Sequence, residues 1–245
     1  MKNRISRIFA LSKKEIYSFL NAPLFYGVTV FFLLFCSVLF IYIQGYLKNT
    51  NPANLQAYIF GIPLVFIIVI PTLTMKSWAE ERKTGSIELL LTMPFSEWDL
   101  VWGKFLSIFT LFIMMLVLTI PVPITLSALG SFDVGVIFCE YLGVILLGGA
   151  AIALGLMFSS FCKSQAGSFL GSVVVLMFFM LISILAIRLG LPDWLTSILN
   201  FISLEFHFNS FSRGVIDSRD IIFYLASTFL FLFITTRVIL FRKWR

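Results

Sequence analysis

The sequence predicts an all-α integral membrane protein with six transmembrane helices, and three observations carry that prediction. Hydrophobic side chains make up 60% of the 245 residues, charged ones only 12%, and the mean hydropathy is +1.01. A water-soluble domain of this size could not hide so much apolar surface, so most of its solvent is lipid. Apolar runs also recur at the length that a hydrocarbon layer requires, about 20 helical residues. Six of them lie at 24–47, 56–75, 103–128, 136–160, 167–188 and 221–240. The alternating ten-residue segments of a β-barrel are absent. Finally, Lys and Arg are distributed unevenly between the two sets of connections, as multi-pass proteins require.

The first element precedes the spans. Ile5, Ile8, Phe9, Ile16, Phe19 and Leu20 recur at helical spacing, while Arg7, Lys13 and Lys14 occupy polar positions. Residues 1–22 therefore read as a basic amphipathic helix lying in the interface. The same charges also read as a leader that only sets topology, and one segment can serve both ends. Asn21-Ala22-Pro23 breaks this helix before the first span.

Orientation follows from the basic residues. Fourteen of the 18 fall in the N-terminal segment, in the connections after the second and fourth spans with Lys104, and at the C-terminal end. Lys48, Arg188, Arg213 and Arg219 face the opposite side. Both termini and the 76–102 segment are thus expected in the cytoplasm. Membrane lipid accounts for the net charge of +6 without nucleic acid.

The second span carries Pro63 and Pro71, and the third carries Pro121 and Pro123, which mark either bends or a helix end. Residues 143–171 are rich in glycine and alanine, a pattern for close helix packing rather than for phosphate binding. Cys36, Cys139 and Cys162 are odd in number and irregular in spacing, so packing is their expected role. The segment 189–220 is the only substantial outer one. Asp193 is placed to cap a helix with Leu191, Trp194, Leu195, Ile198, Leu199 and Ile202 on one face, and a second helix is expected over Glu205–Arg213, ending at Gly214. The pair is expected to lie on, or re-enter, the outer leaflet.

Between the second and third spans the composition changes sharply. Glu80, Glu81, Arg82 and Lys83 precede Thr84-Gly85, Glu88 follows, and Leu89, Leu90 and Met93 give an apolar face that Pro94 ends. Thr84 and Ser86 are expected to cap this short helix at its N-terminus. A partner could grip such an element by its charges and apolar side; a solvated loop with local ion pairs is the plainer reading.

These residues resemble a known family. The string EERKTGSIELLLTMP at 80–94, with Gly103-Lys104 opening the third span, is similar to the cytoplasmic signature of ABC-2-type permeases. SSFCKSQAGSF at 159–169 resembles the inner end of that family's fourth span, and HFNSFSRGVIDSRDIIFYL at 207–225 resembles the outer junction of its gliding-motility-associated branch. Ser86 departs from the commoner Thr but keeps the hydroxyl. The resemblance covers the whole chain as one transmembrane domain, 1–245. It implies a connecting helix at 1–22, a coupling helix within 76–102 and outer helices capping a path. It also implies an ATP-driven exporter with two copies of an ABC ATPase subunit that bind ATP and Mg, plus a second permease copy or a related permease chain. An alternative is an ATPase-linked component of a surface machine that moves no soluble cargo. The coupling residues it implies are Glu81, Thr84, Gly85, Glu88 and Lys104. Lys104 would sit at phosphate level.

Glu140, Trp194, Phe206 and Phe211 are the expected pathway or outer-gate residues. Glu140 lies in the outer part of the fourth span, where a buried carboxylate would be functional, although near a helix end it can reach the headgroups. His207 is the sole histidine and lacks a second metal-ligating neighbour in sequence. An intramembrane enzyme would need Glu140 and His207 to meet. No P-loop and no H-E-x-x-H occurs, so the chain is expected to be non-catalytic, with no cofactor of its own.

Overall fold

A computed structural model describes residues 2–43, 55–86, 96–127 and 134–243, and it is entirely helical among them apart from short turns. The elements are α1 (Lys2–Leu20), α2 (Pro23–Ile43), α3 (Leu55–Lys83), α4 (Glu97–Val117) and α5 (Pro121–Ser127). They continue with α6 (Val134–Phe161), α7 (Gln165–Arg188), α8 (Asp193–Ile202), α9 (Leu204–Ser212) and α10 (Ser218–Lys243). Five helical stretches are long and apolar enough to cross a bilayer, those of α3, α4 with α5, α6, α7 and α10. The bent pair of α1 and α2 supplies a sixth, turning by 77° at its break. If α2 crosses the membrane, α1 must therefore run nearly along its surface.

Three of the expected boundaries move. The second span does not stop at 75: α3 runs on to Lys83, so the charged run 80–83 is helical. Only 84–96 connects α3 to α4, and of the expected coupling segment Glu88, Leu89, Leu90, Met93 and Pro94 lie outside the described residues. The third span is broken. Pro121 has no N–H to offer the preceding turn, so α4 ends at Val117 and α5 begins at Pro121. Thr119 in that break donates to the Leu116 carbonyl at 2.6 Å and shares a hydrogen bond with the Tyr141 hydroxyl at 3.0 Å. Pro63 and Pro71, in contrast, lie within an uninterrupted α3.

α6 is the centre of the bundle and touches α3, α4, α7, α9 and α10. Its small residues make this possible. A Cβ added at Gly155 would collide with Thr74 of α3, one at Gly148 with the Phe112 ring of α4, and one at Gly143 would stand 2.6 Å from Phe211 of α9. Without a hydrophobic drive between helices in lipid, such close approach supplies the packing energy. Phe66 of α3 fills the remaining space, edge-on to Phe112 at 5.2 Å and stacked near Phe32 of α2 at 6.4 Å.

Candidate functional site

The last three turns of α3 carry two faces with different partners. Thr74, Trp78 and Arg82 recur every four residues and so line one face, which lies along α6. The Trp78 and Ala79 amides both donate to the Ser159 hydroxyl, at 3.1 and 3.3 Å. Arg82 then reaches past the end of α6. Its guanidinium donates to the carbonyls of Ser160, Phe161 and Cys162 at 3.2, 2.9 and 2.6 Å. A cation there meets the orphan acceptors and the negative end of the helix dipole together.

Ser77 and Glu81, again four apart, line the second face, and Lys104 of α4 joins it. The Lys104 ammonium is 1% exposed. It donates to the Ser77 carbonyl at 2.7 Å and to Glu81 Oε1 at 2.6 Å, stands 3.7 Å from Glu15 of α1, and lies 4.7 Å from the centre of the Trp78 ring. Lys104, one of the expected coupling residues, is thus a buried tie between α1, α3 and α4. Next to it, Ser12 donates to the Gly103 carbonyl at 3.0 Å, and the missing Gly103 side chain makes room for Leu11. The N-terminus of α4 is fixed by a capping box, Ser96 accepting from the Asp99 amide at 3.2 Å while Asp99 accepts from the Ser96 amide at 3.3 Å.

The chain leaves this clamped foot at Thr84-Gly85. At this turn the Thr84 hydroxyl donates to the Glu80 carbonyl at 3.0 Å and the Ser86 hydroxyl to the Glu81 carbonyl at 3.3 Å, so both bond the C-terminus of α3. Ser86 is itself helical, and the rest of the short helix they are expected to cap lies outside the described residues. Gly85 takes φ +72°, the left-handed conformation that ends helices. Gly85→Ala is expected to destabilise the protein by about 1 kcal/mol from Cβ strain alone, since open space surrounds the position. Thermal unfolding in detergent measures it.

At the other end of the bundle the expected outer helices are present. Asp193 is the first residue of α8, preceded by Pro192 with no side-chain cap, so the expected Asp193 cap is not formed. α9 starts one residue before Glu205 and is capped by Ser203, which accepts from the Phe206 amide at 3.3 Å. His207 is buried and does have a partner. Its Nδ1 lies 2.7 Å from Asp220 Oδ1 of α10, its Nε2 lies 3.1 Å from the Phe201 carbonyl of α8, and Phe223 stacks on the ring at 3.9 Å. Tyr224 donates to the Leu204 carbonyl at 2.7 Å. These contacts pin α8 and α9 to the start of α10. Tyr224→Phe is expected to cost about 1 kcal/mol, the net value of a buried hydrogen bond, read as a lowered unfolding midpoint.

The four expected gate residues separate. Phe211 is fully buried against Gly143, Phe206 is partly exposed, and Trp194 stands out from α8 at 66% exposure. Glu140 does not reach the headgroups: it is 1% exposed, and neither carboxyl oxygen has a hydrogen-bond partner. It therefore makes no hydrogen bond with His207. Burial pushes the Glu205 carboxyl above the usual carboxylate range, with the Asn209 amide acting the other way. Among the described residues, no three His, Cys, Asp or Glu side chains gather where they could hold a metal ion.

Sequence reasoning passed over Ser12, Trp78, Ser159, Asp99 and Asp220. The S-x-x-D spacing at 96–99 before an apolar run was a readable signal for the capping box, whereas the contacts of Ser12, Ser159 and Asp220 depend on helices distant in sequence. Residues 9–240 match the family described as "ABC-2 family transporter protein". Among curated relatives, the chain is similar to the probable multidrug ABC transporter permeases YbhR of Escherichia coli strains K12 and O157:H7, each 26% identical over 173 residues. The alignment takes in 69% of this chain and 46% of the relative, so the chain spans less than half the length of the curated relatives it matches.

Proposed function

This chain belongs to the ABC-2 transporter family, and on that premise we propose that it is the membrane-spanning permease subunit of an ATP-driven exporter. A separate ABC ATPase, present in two copies, binds ATP and Mg and hydrolyses the nucleotide; this chain contributes no catalytic group. It works beside a second copy of itself or a related permease chain, in the inner membrane, with both termini and the 84–96 connection in the cytoplasm, as the basic residues favour.

The observation that carries this reading is the double clamp at the foot of α3. Lys104 ties that foot to α1 and α4, and Arg82 ties it to α6. A displacement applied to the connection at Gly85 is thereby passed to four helices at once instead of being absorbed by a loose end. Gly85, Thr84 and the connection beyond them, Glu88 included, form the input from the ATPase; Glu81 and Lys104 form the stiff joint behind it. Packed cores respond to such a push by switching between arrangements rather than by yielding gradually. The cargo is amphipathic, glycan or peptide; the multidrug description of the relatives supports the amphipathic case.

The test is purification from native membranes in mild detergent, followed by mass spectrometry of what stays bound. A P-loop ATPase in near-stoichiometric amount is the expected result. A chain that emerges without any ATPase after cross-linking overturns the reading. A complex that hydrolyses ATP in vesicles but moves none of a broad cargo panel points instead to a surface machine.

A further inference from the structure

The foot of α3 and the end of α1 enclose a cavity of about 390 Å³, within the size range of small-ligand sites. Its lining carries both signs of charge: Lys14 and Glu15 from α1, Lys76, Glu80 and Glu81 from α3, with Phe19 on its apolar side. Lys104 already engages Glu15 and one oxygen of Glu81. The other Glu81 oxygen, Oε2, is buried and accepts no hydrogen bond. Lys14, Lys76 and Glu80 make no ion pair among the described residues. Among the described residues, the cavity therefore presents two ammonium groups and one carboxylate outside any ion pair, beside a buried Glu81 oxygen that lacks a donor.

Its position selects the ligand. The lining ends at Ala22, where α1 and α2 meet at 77°. The cavity thus reaches the place where an interfacial helix meets a spanning one, the depth of lipid headgroups. An anionic headgroup would satisfy the lysines but meet the carboxylates unfavourably. A choline headgroup carries positive charge but has no N–H for the Glu80 carboxylate. A primary ammonium supplies the charge and three donors.

We propose that this cavity binds the headgroup of a phospholipid bearing a primary amine, Lys14 and Lys76 holding the phosphate while the exposed Glu80 carboxylate receives the ammonium. The proposal rests on the interfacial placement of α1 given above, but not on the presence of an ATPase. A lipid seated there fills the gap between α1 and the clamped foot of α3, and so stiffens the joint through which a push at Gly85 would pass.

The test uses the full chain, delipidated in detergent and titrated with phosphatidylethanolamine, phosphatidylcholine or phosphatidylglycerol under native mass spectrometry. Phosphatidylethanolamine is expected to be retained about tenfold more than phosphatidylcholine, the worth of a charge-assisted hydrogen bond. Glu80→Gln should erase that preference, and Lys14→Gln should weaken all three lipids. Both residues are exposed, and an unchanged unfolding midpoint will verify the fold of each variant. Equal retention of the ethanolamine and choline lipids, or a preference that survives Glu80→Gln, overturns the proposal. So does a variant that keeps its lipid selectivity but loses a co-purifying ATPase, which assigns the cavity to a protein partner. Because lipid binding is read on the isolated chain, failure to find an ATPase leaves this result standing.

Discussion

Lys104→Met is expected to cost about 3–5 kcal/mol of stability, the usual penalty for removing one partner of a buried ion pair. The Lys104 ammonium is 1% exposed and lies 2.6 Å from Glu81 and 3.7 Å from Glu15. Taking the cation away leaves Glu81 confined beside Trp78 with no donor, and it unties α1 from α3. Most of the loss is that stranded carboxylate rather than the net worth of the pair. Adding Glu81→Met should therefore recover a large share of it, because an apolar pair of similar volume needs no desolvation to be offset. Thermal unfolding of the two single variants and the double variant gives the coupling directly. A single Lys104→Met variant that melts like the parent would show that the joint contributes nothing. The same geometry predicts the failure of a simple functional test. Reversing the charge of Glu81 sets a second cation against Lys104, so lost transport in that variant would report a broken joint rather than a broken contact with an ATPase.

How far the sequence could carry the reading differs between the two ends of the bundle. Helix number and approximate position were readable because lipid imposes a single length scale on every span, and the α1–α2 break was readable because Asn21-Ala22-Pro23 is a local signal. The small residues of α6 announced close packing, but not that Gly155 would take Thr74 and Gly148 the Phe112 ring, since the crossing partners come from elsewhere in the chain. Lys104 shows the limit most clearly. A lysine at the start of an apolar run ordinarily reaches for headgroups. Here Ser77 and Glu81, 27 and 23 residues earlier, form a socket that no local pattern reveals. The backward bonds of Thr84 and Ser86 were illegible for a related reason. A hydroxyl next to a glycine suits either end of a helix, and only the extension of α3 to Lys83 brings the Glu80 and Glu81 carbonyls within reach of these two. His207 was undervalued because Asp220, its partner, sits 13 residues later on another helix.

Glu140→Leu is expected to raise stability by about 1–3 kcal/mol, the cost of a buried polar group left without a partner. Glu140 occupies the face of α6 that also carries Val136 and Gly143. Val136 meets Gly214 and Gly143 meets Phe211, so this face looks onto the C-terminal turn of α9. That end of a helix is the negative pole of its dipole, the wrong sign for a carboxylate. Neither Glu140 oxygen receives a hydrogen bond. The carboxylate therefore costs stability without a visible return inside the chain, which makes it a functional candidate, as ionisable groups within membrane spans are by default. Leu has similar bulk, removes the polar atoms and leaves the Gly143–Phe211 contact intact. Unfolding midpoints and vesicle transport, measured on the same preparation, separate the outcomes. A variant that is more stable but transports less identifies Glu140 as a working group that takes up a proton or a cationic cargo while α9 moves. A more stable variant with unchanged transport makes the carboxylate a tolerated defect. A less stable variant contradicts the prediction, because it means that Glu140 has a partner outside this chain, and the pairing of permease chains is then the first place to look for it.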